Sequence, residues 1–293
     1  MSHKAGFVNI IGNPNVGKST LMNALLGEKL SIITPKAQTT RHRILGILSS
    51  DDYQIVFSDT PGILEPHYKM QEAMMKFVDS AFDDADIFLL VTEAGEKFSN
   101  QNILQRLNNS TIPVLVLLNK IDISDQPAVE RLFQEWKTLL PKATILPVSA
   151  LKKFNLDKIL SFVIEHLPEN PPFFDKQEMS DKPEKFFIAE ILREKIFLNY
   201  QKEVPYCVEV MIDTFKVEEN ITRIHAIIYV ARESQKGIII GNNGEALKRV
   251  GTAARKDMEI FLRKKVFLEL LVKVSKDWRN NETQLRKFGY IFK

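Results

Sequence analysis

One cysteine stands in 293 residues, Cys207. That count excludes an internal disulfide and any multi-cysteine zinc site, and it fits a reducing cytosol. Cys207 lies in the alternating run YCVEVMI, where a buried structural thiol is the expected role and a nucleophile is not. Long hydrophobic runs are also missing: stretches such as VLVLL at 114–118 are far too short to cross a bilayer. No export signal is visible, because MSHKAG leads straight into FVNII and a glycine-rich loop. The expectation is a soluble cytoplasmic protein whose membrane contact would be peripheral. Neither an internal repeat nor a low-complexity tract is present. The net charge of +3 is small, but it resolves into about −2 over residues 1–170, −3 over 171–230 and +8 over 231–293. Cations gathered in the last part point to a polyanionic partner, although a solvated lysine-rich face would read the same.

What is present is ordinary globular material, 44% hydrophobic and 26% charged, of a length that suits two domains. Over residues 4–167, short apolar runs (FVNII, HRILGIL, YQIVFSD, DIFLLV, IPVLVLL, ATILPVS) alternate with amphipathic stretches. This predicts an α/β domain: a mostly parallel sheet with helices on both faces, in which a hairpin around SSDD adds one antiparallel edge strand. Residues 167–183 hold four prolines and no sustained periodicity, so domains are expected at 1–168 and 184–293 with a linker at 169–183. In the second domain FFIAEILREKIF reads as a helix, VEVMIDTF and RIHAIIYVA as strands, 245–262 as a helix with interleaved basic positions, and VFLELLVKV as a last strand. That order makes a small α+β unit with a three-stranded sheet.

The chemistry of the first domain is carried by four motifs in sequence. GNPNVGKS at 12–19 matches GxxxxGK[ST], and it follows a strand and opens a helix, which are the two contexts that identify a phosphate-binding P-loop. Gly12 and Gly17 let the backbone wrap closely, so that amides such as those of Asn15 and Val16 point at phosphate oxygens. Lys18 supplies a cation to the β and γ phosphates, and the Ser19 hydroxyl is a hard ligand for Mg²⁺. DTPG at 59–62 closes a strand, where Asp59 is expected to hold the metal through water and the Gly62 amide to sense the γ phosphate. NKID at 119–122 decides the base. The Asp122 carboxylate accepts both N1–H and the exocyclic amine of guanine, whereas adenine offers neither donor there. An unpaired carboxylate costs roughly 2 to 4 kcal/mol, and sites of this kind reject the wrong ligand by about 10⁴. SAL at 149–151 fits the remaining side of the base through backbone amides.

These motifs predict a GTPase that binds GTP, GDP and Mg²⁺. The expected nucleotide contacts are Asn13, Asn15, Val16, Gly17, Lys18, Ser19, Thr20, Asn119, Lys120, Asp122, Ser149, Ala150 and Leu151. Lys18, Thr40, Asp59 and Gly62 are expected to serve the chemistry, and Ser19, Thr40 and Asp59 the metal. Thr40, in preference to Thr39, comes from the polar stretch ITPKAQTTRHR at 33–43, which reads as a nucleotide-dependent switch. Residues 62–68 would be its partner loop. Ile63 stands where small signalling GTPases carry a water-positioning glutamine, so unaided hydrolysis is expected to be slow. His42 and Arg43 invite a catalytic reading, but a basic switch more commonly meets a partner or solvent, and Arg41 or Arg43 would equally suit contact with RNA. Met70, Met74 and Met75 read as the buried side of a helix.

GNPNVGKSTLMNALLG, KAQTTRHRILGI, DTPGI, NKID and SAL, followed by KGIIIGNNGEALKRVG, KKVFLELLVKV and a terminal WR, resemble the Era family of bacterial GTPases from residue 5 to the end. The resemblance implies a GTP-hydrolysing switch joined to a type II KH domain. It further implies binding to the 3′ end of 16S ribosomal RNA, a role in maturation of the 30S subunit and loose attachment to the inner face of the plasma membrane. A KH domain clamps about four nucleotides of backbone at a GxxG turn. By this resemblance the RNA contacts are Ile240, Gly241, Asn242, Asn243, Gly244, Lys248, Arg249 and Arg255, with Lys256, Lys264 and Lys265 extending the field. Many members carry a lysine early in the turn, where Asn242 stands here. The rival reading is a membrane-recruited signalling GTPase whose basic last third meets lipid or protein. The charge lies beside a GxxG turn and not on an amphipathic helix with exposed aromatics, which favours RNA. A monomer is the default state.

Overall fold

The computed structural model describes residues 3–290, and these divide into two compact units, 3–65 with 74–181 and 66–73 with 182–290. The first unit begins with β1 (Lys4–Ile11), α1 (Lys18–Leu26), β2 (Ile44–Ser49), β3 (Tyr53–Asp59), α2 (Lys69–Asp83, of which 74–83 belong to this unit) and β4 (Ile87–Glu93). It continues with α3 (Gln101–Asn109), β5 (Val114–Asn119), α4 (Gln126–Leu139), β6 (Thr144–Pro147) and α5 (Leu156–His166). The strands form one sheet in the order β2-β3-β1-β4-β5-β6, parallel except for the β2–β3 hairpin at the edge, as the apolar alternation predicts. Central strands are buried on both faces, which is why β4 and β5 are nearly continuous apolar runs. On one face Val78, Ile103, Leu107, Leu132 and Trp136 pack over Phe88, Leu90 and Val116. Met70 and Met74 are fully buried and Met75 packs against this cluster.

The proline-rich segment expected to be a linker behaves differently. Residues 168–170 pair with the start of β1, and 173–181 run as a strap along the hairpin. The Ile47 amide donates to the Met179 carbonyl at 3.0 Å, the Ser180 hydroxyl to the Leu45 carbonyl at 2.5 Å, and the Leu45 amide to Asp181 at 3.1 Å. Gln54, fully buried in β3, clamps the strap: its Oε1 accepts from the Phe173 and Phe174 amides at 2.8 and 3.0 Å, and its Nε2 donates to the Phe174 carbonyl at 2.9 Å. Prolines and a lack of periodicity exclude regular structure, but they do not exclude hydrogen bonding to an open sheet edge.

The second unit holds α6 (Glu184–Asn199), β7 (Glu209–Val217), β8 (Ile221–Val230), α7 (Glu233–Ile240), α8 (Glu245–Leu262), β9 (Lys265–Val274) and α9 (Glu282–Lys287). Its sheet runs β7-β8-β9, antiparallel then parallel. Ile188, Leu192 and Ile196 of α6 and Val250, Ala254 and Met258 of α8 cover one face over Ile224, Ala226 and Ile228. Cys207 is buried, as expected, and its carbonyl accepts from the Trp278 indole at 3.0 Å. Two helices had no signal that sequence reading used. In α7 a glycine and three isoleucines suppress helix propensity; the Gln235 side-chain oxygen, accepting from the Ala231 and Arg232 amides, starts it. α9 is only six residues long. No helix among the described residues is long and apolar enough to cross a membrane.

Candidate nucleotide and RNA sites

β1 delivers the chain into the P-loop through Gly12, whose φ of +148° and closeness to the Val91 carbonyl leave no room for a side chain. Asn15 also takes a positive φ, and the loop closes at Gly17, where a Cβ would lie 2.3 Å from the Asn119 amide nitrogen. The Lys18 ammonium folds back to donate to the carbonyls of Gly12 and Asn13 at 3.0 and 2.8 Å. Burial lowers its pKa to about 8, against the opposing pull of Asp59 and Glu96.

Beneath the loop, the Ser19 hydroxyl donates to Asp59 Oδ2 at 2.6 Å and lies 2.9 Å from the Thr40 hydroxyl. Thr39 turns the other way, bonding within its own loop to Thr34 and the Lys36 carbonyl, both at 2.6 Å. Asp59 is fully buried, which raises its pKa despite the Ser19 hydrogen bond and the charge of Lys18. Its Oδ1 has no hydrogen-bond partner. Two hydroxyls and a carboxylate with one buried oxygen uncommitted form a hard-oxygen donor set, which suits Mg²⁺. Gly62 presses on the P-loop, since a Cβ there would lie 2.7 Å from the backbone of Pro14. Ile63 is turned into the core beside Ile11 and Val78.

Asn119 ties three loops together: its Nδ2 donates to the Val16 carbonyl at 2.8 Å, and its Oδ1 accepts from the Ala150 amide at 3.0 Å. Asp122 accepts from the Ser149 hydroxyl at 2.5 Å, and Lys120 pairs with Glu93 at 2.6 Å. Two of the three SAL amides, expected to face the base, are engaged within the protein. Ser149 closes a turn with Phe154, donating at 3.3 Å and accepting at 3.0 Å, while the Ala150 amide serves Asn119. Leu151 remains at the rim, 71% exposed.

A cleft of about 530 Å³ joins these parts, lined by Asn15, Lys18, Ser19 and Thr20, by residues of 32–40, by Gly62 and by Asn119, Lys120, Asp122 and Leu151. Asn13 and Val16 are not part of its lining: Asn13 donates to the Lys97 carbonyl at 3.4 Å, and Val16 is buried. Ile123, also at the rim and 77% exposed, was not singled out in the sequence; its place one residue beyond NKID was the available signal.

The catalytic reading of Arg43 is overturned. Its guanidinium donates to Ser58 at 2.7 Å, Asn9 at 3.1 Å, Asp84 at 2.8 Å and the Ser80 carbonyl at 3.3 Å, so it anchors the end of the switch. The His42 ring packs 5.7 Å from that of Phe77, and Arg41 is 1% exposed. Arg41 is thus buried, while His42 and Arg43 are half-buried.

In the second unit, α7 ends at Ile240 and the chain turns through Gly241, Asn243 and Gly244 with φ of +73°, +48° and +78° before α8 begins. A Cβ on Gly241 would lie 2.5 Å from that of Ala246. Asn242, Asn243, Lys248, Arg249, Arg255 and Lys256 are exposed along this turn and the following helix, with Arg255 paired to Glu259 at 3.1 Å. Ile239 is in the core, and Ile240 packs against it. Lys248 and Arg249 lie in the first turns of α8, beside the 241–244 turn, and Arg255 and Lys256 lie further along the helix.

Residues 7–120 match the family model described as a 50S ribosome-binding GTPase, and residues 203–279 match that of the KH domain. A crystal structure of Era in complex with MgGDPNP and nucleotides 1506–1542 of 16S ribosomal RNA is 40% identical, with a TM-score of 0.94 over 99% of this chain and 100% of that one. An Aquifex aeolicus Era variant bound to GDP and AlF4⁻ is equally similar, at 40% identity and a TM-score of 0.94 over the same shares. Identity at that level across both units, with the motifs of each in place, means that the chain belongs to the Era family of GTPases.

Proposed function

We propose that this protein is a GTP-hydrolysing switch that binds the 3′ end of 16S ribosomal RNA and assists maturation of the 30S subunit. The observation that carries the first half is the meeting of Ser19, Thr40 and Asp59 under the P-loop. In the proposed cycle Lys18 exchanges the Gly12 and Asn13 carbonyls for the β and γ phosphates, and P-loop amides satisfy the remaining oxygens. Mg²⁺, held by Ser19, Thr40 and Asp59, would supply charge neutralisation to the phosphate oxygens. Because Thr40 belongs to the 33–43 loop, its hydroxyl couples that loop to the γ phosphate, and loss of the phosphate releases it. Asp122, pre-oriented by Ser149, accepts the two N–H donors of guanine, while Asn119 holds its loop against the P-loop. Ile63, packed into the core, offers no hydrogen bond to an attacking water, so hydrolysis stays slow until a partner or further loop closure supplies one.

The second half rests on the 241–244 turn. Gly241 and Gly244 let a ribose-phosphate strand approach the start of α8, and Lys248, Arg249 and Arg255 supply the field along it. The functional division is residues 1–168 for the nucleotide and 184–293 for RNA. The family resemblance adds a cytoplasmic place of work, contact with the inner face of the plasma membrane and a monomeric state.

Two measurements test the reading. GTP should bind far more tightly than ATP, and RNA crosslinked to the GTP-loaded protein should map to the 16S 3′ end and disappear in Gly244→Asp. Equal affinity for the two triphosphates, or unchanged crosslinking in the variant, would refute it. Liposome sedimentation and light scattering test membrane contact and oligomeric state.

A further inference from the structure

The 241–244 turn takes its position from the end of α7, and that end is held from another helix. Tyr200 caps α6, is 6% exposed, and donates its hydroxyl to the Ile239 carbonyl at 2.6 Å inside the core. Ile239 is the second-last residue of α7, and its carbonyl is one of those that a helix end leaves without an intrahelical donor. The Gly237 carbonyl is taken by the Gly241 amide at 2.9 Å, so an amide and a phenol together finish the helix where the chain turns. The turn has little slack, because a Cβ on Gly241 would clash with that of Ala246. Burial raises the pKa of Tyr200, and the charge of Arg249 on α8 opposes that rise.

We propose that Tyr200 is a positioning residue for RNA: its hydroxyl fixes the end of α7 against α8, so that the 241–244 turn and Arg249 meet the same backbone together. This rests on the RNA-binding reading given above. The bland role of Tyr200 is to fill space with its ring, and Tyr200→Phe separates the two, since it keeps every ring carbon and removes only the donor. The Ile239 carbonyl is then buried without a partner and the end of α7 is freed to shift.

The test uses the full-length GTP-loaded protein and a single-stranded RNA of the 16S 3′-end sequence, titrated across a salt series, with GTP affinity and melting temperature measured alongside. Tyr200→Phe is expected to bind RNA about 5- to 20-fold more weakly, the range a lost buried hydrogen bond gives. Its slope of log affinity against log salt should be shallower by about one counterion, with GTP affinity unchanged. Unchanged RNA affinity and slope, with or without a lower melting temperature, would mean that the hydroxyl serves folding alone and would overturn the proposal. The parent protein and Gly244→Asp report on the underlying reading: if the parent fails to bind, or Gly244→Asp binds as well as the parent, the RNA site itself is wrong and the proposal falls with it.

Discussion

The Asn119 side chain donates to the Val16 carbonyl at 2.8 Å across 103 residues of sequence. With its second bond, from Ala150, it makes one carboxamide the brace between the phosphate loop and both base loops. Gly17 is the glycine that this brace requires, because any side chain there would collide with it.

Asn119→Ala removes both bonds and leaves a buried carbonyl and a buried amide unmatched, at about 1 to 3 kcal/mol each. GTP and GDP affinity should fall together, by about 10- to 100-fold, because the loops lose their common reference and neither phosphate number nor base changes. Titration with a fluorescent GDP analogue measures it; wild-type affinity in the variant would show that the brace is dispensable.

Lys18 gives a pH dependence with a defined sign. Its pKa of about 8 belongs to the nucleotide-free protein, where burial dominates. A triphosphate beside it restores the charge, so binding above about pH 8 takes up a proton and GTP affinity should fall towards tenfold per pH unit between about pH 8 and pH 9. Stability of the nucleotide-free protein moves the other way. The folded pKa of about 8 lies below the ordinary 10.5, the folded state gives up its proton first, and stability rises across that window. Calorimetric titrations in buffers of different ionisation heat would detect the proton; a flat affinity profile rejects the argument.

Gln54→Ala cuts three hydrogen bonds to the strap from a fully buried position. The expected loss is about 2 to 4 kcal/mol, and the first unit should melt several degrees lower, at about 2 to 4 °C per kcal/mol. A melting temperature within one degree of the parent, about a quarter to a half of a kcal/mol at this size, would mean that these hydrogen bonds contribute almost nothing to stability.

Asn242→Lys adds a cation to the turn. RNA affinity at low salt should rise, and the salt slope should steepen by about one counterion if a phosphate lies there. Identical slopes would place the phosphate elsewhere.

What was legible in the sequence was local. Strands, the hairpin, α8 and both glycine turns follow from spacing of two or of three to four residues and from turn chemistry, and the expected choice of Thr40 over Thr39 agrees with their opposite hydrogen bonding. What was not legible depends on partners distant in the chain. Arg43 reads as a reactive cation until Asn9, Ser58 and Asp84 are found around it. A proline-rich stretch reads as a tether until Gln54 is found beneath it. Of the three SAL amides that read as ligands for a base, the 149–154 turn uses that of Ser149 and Asn119 that of Ala150. α7 was hidden because its helix rests on a cap and on Tyr200, not on propensity.

The strap has a consequence beyond stability. β2 is the outermost strand of its sheet, and the outward-pointing polar groups of Leu45 and Ile47 would otherwise be open to any extended peptide. Met179, Ser180 and Asp181 occupy them, so the stretch of chain that leads away from the sheet also stops it from recruiting further strands. A protease cut within 174–178 should therefore leave a protein prone to aggregate through that edge while its nucleotide cleft is still intact.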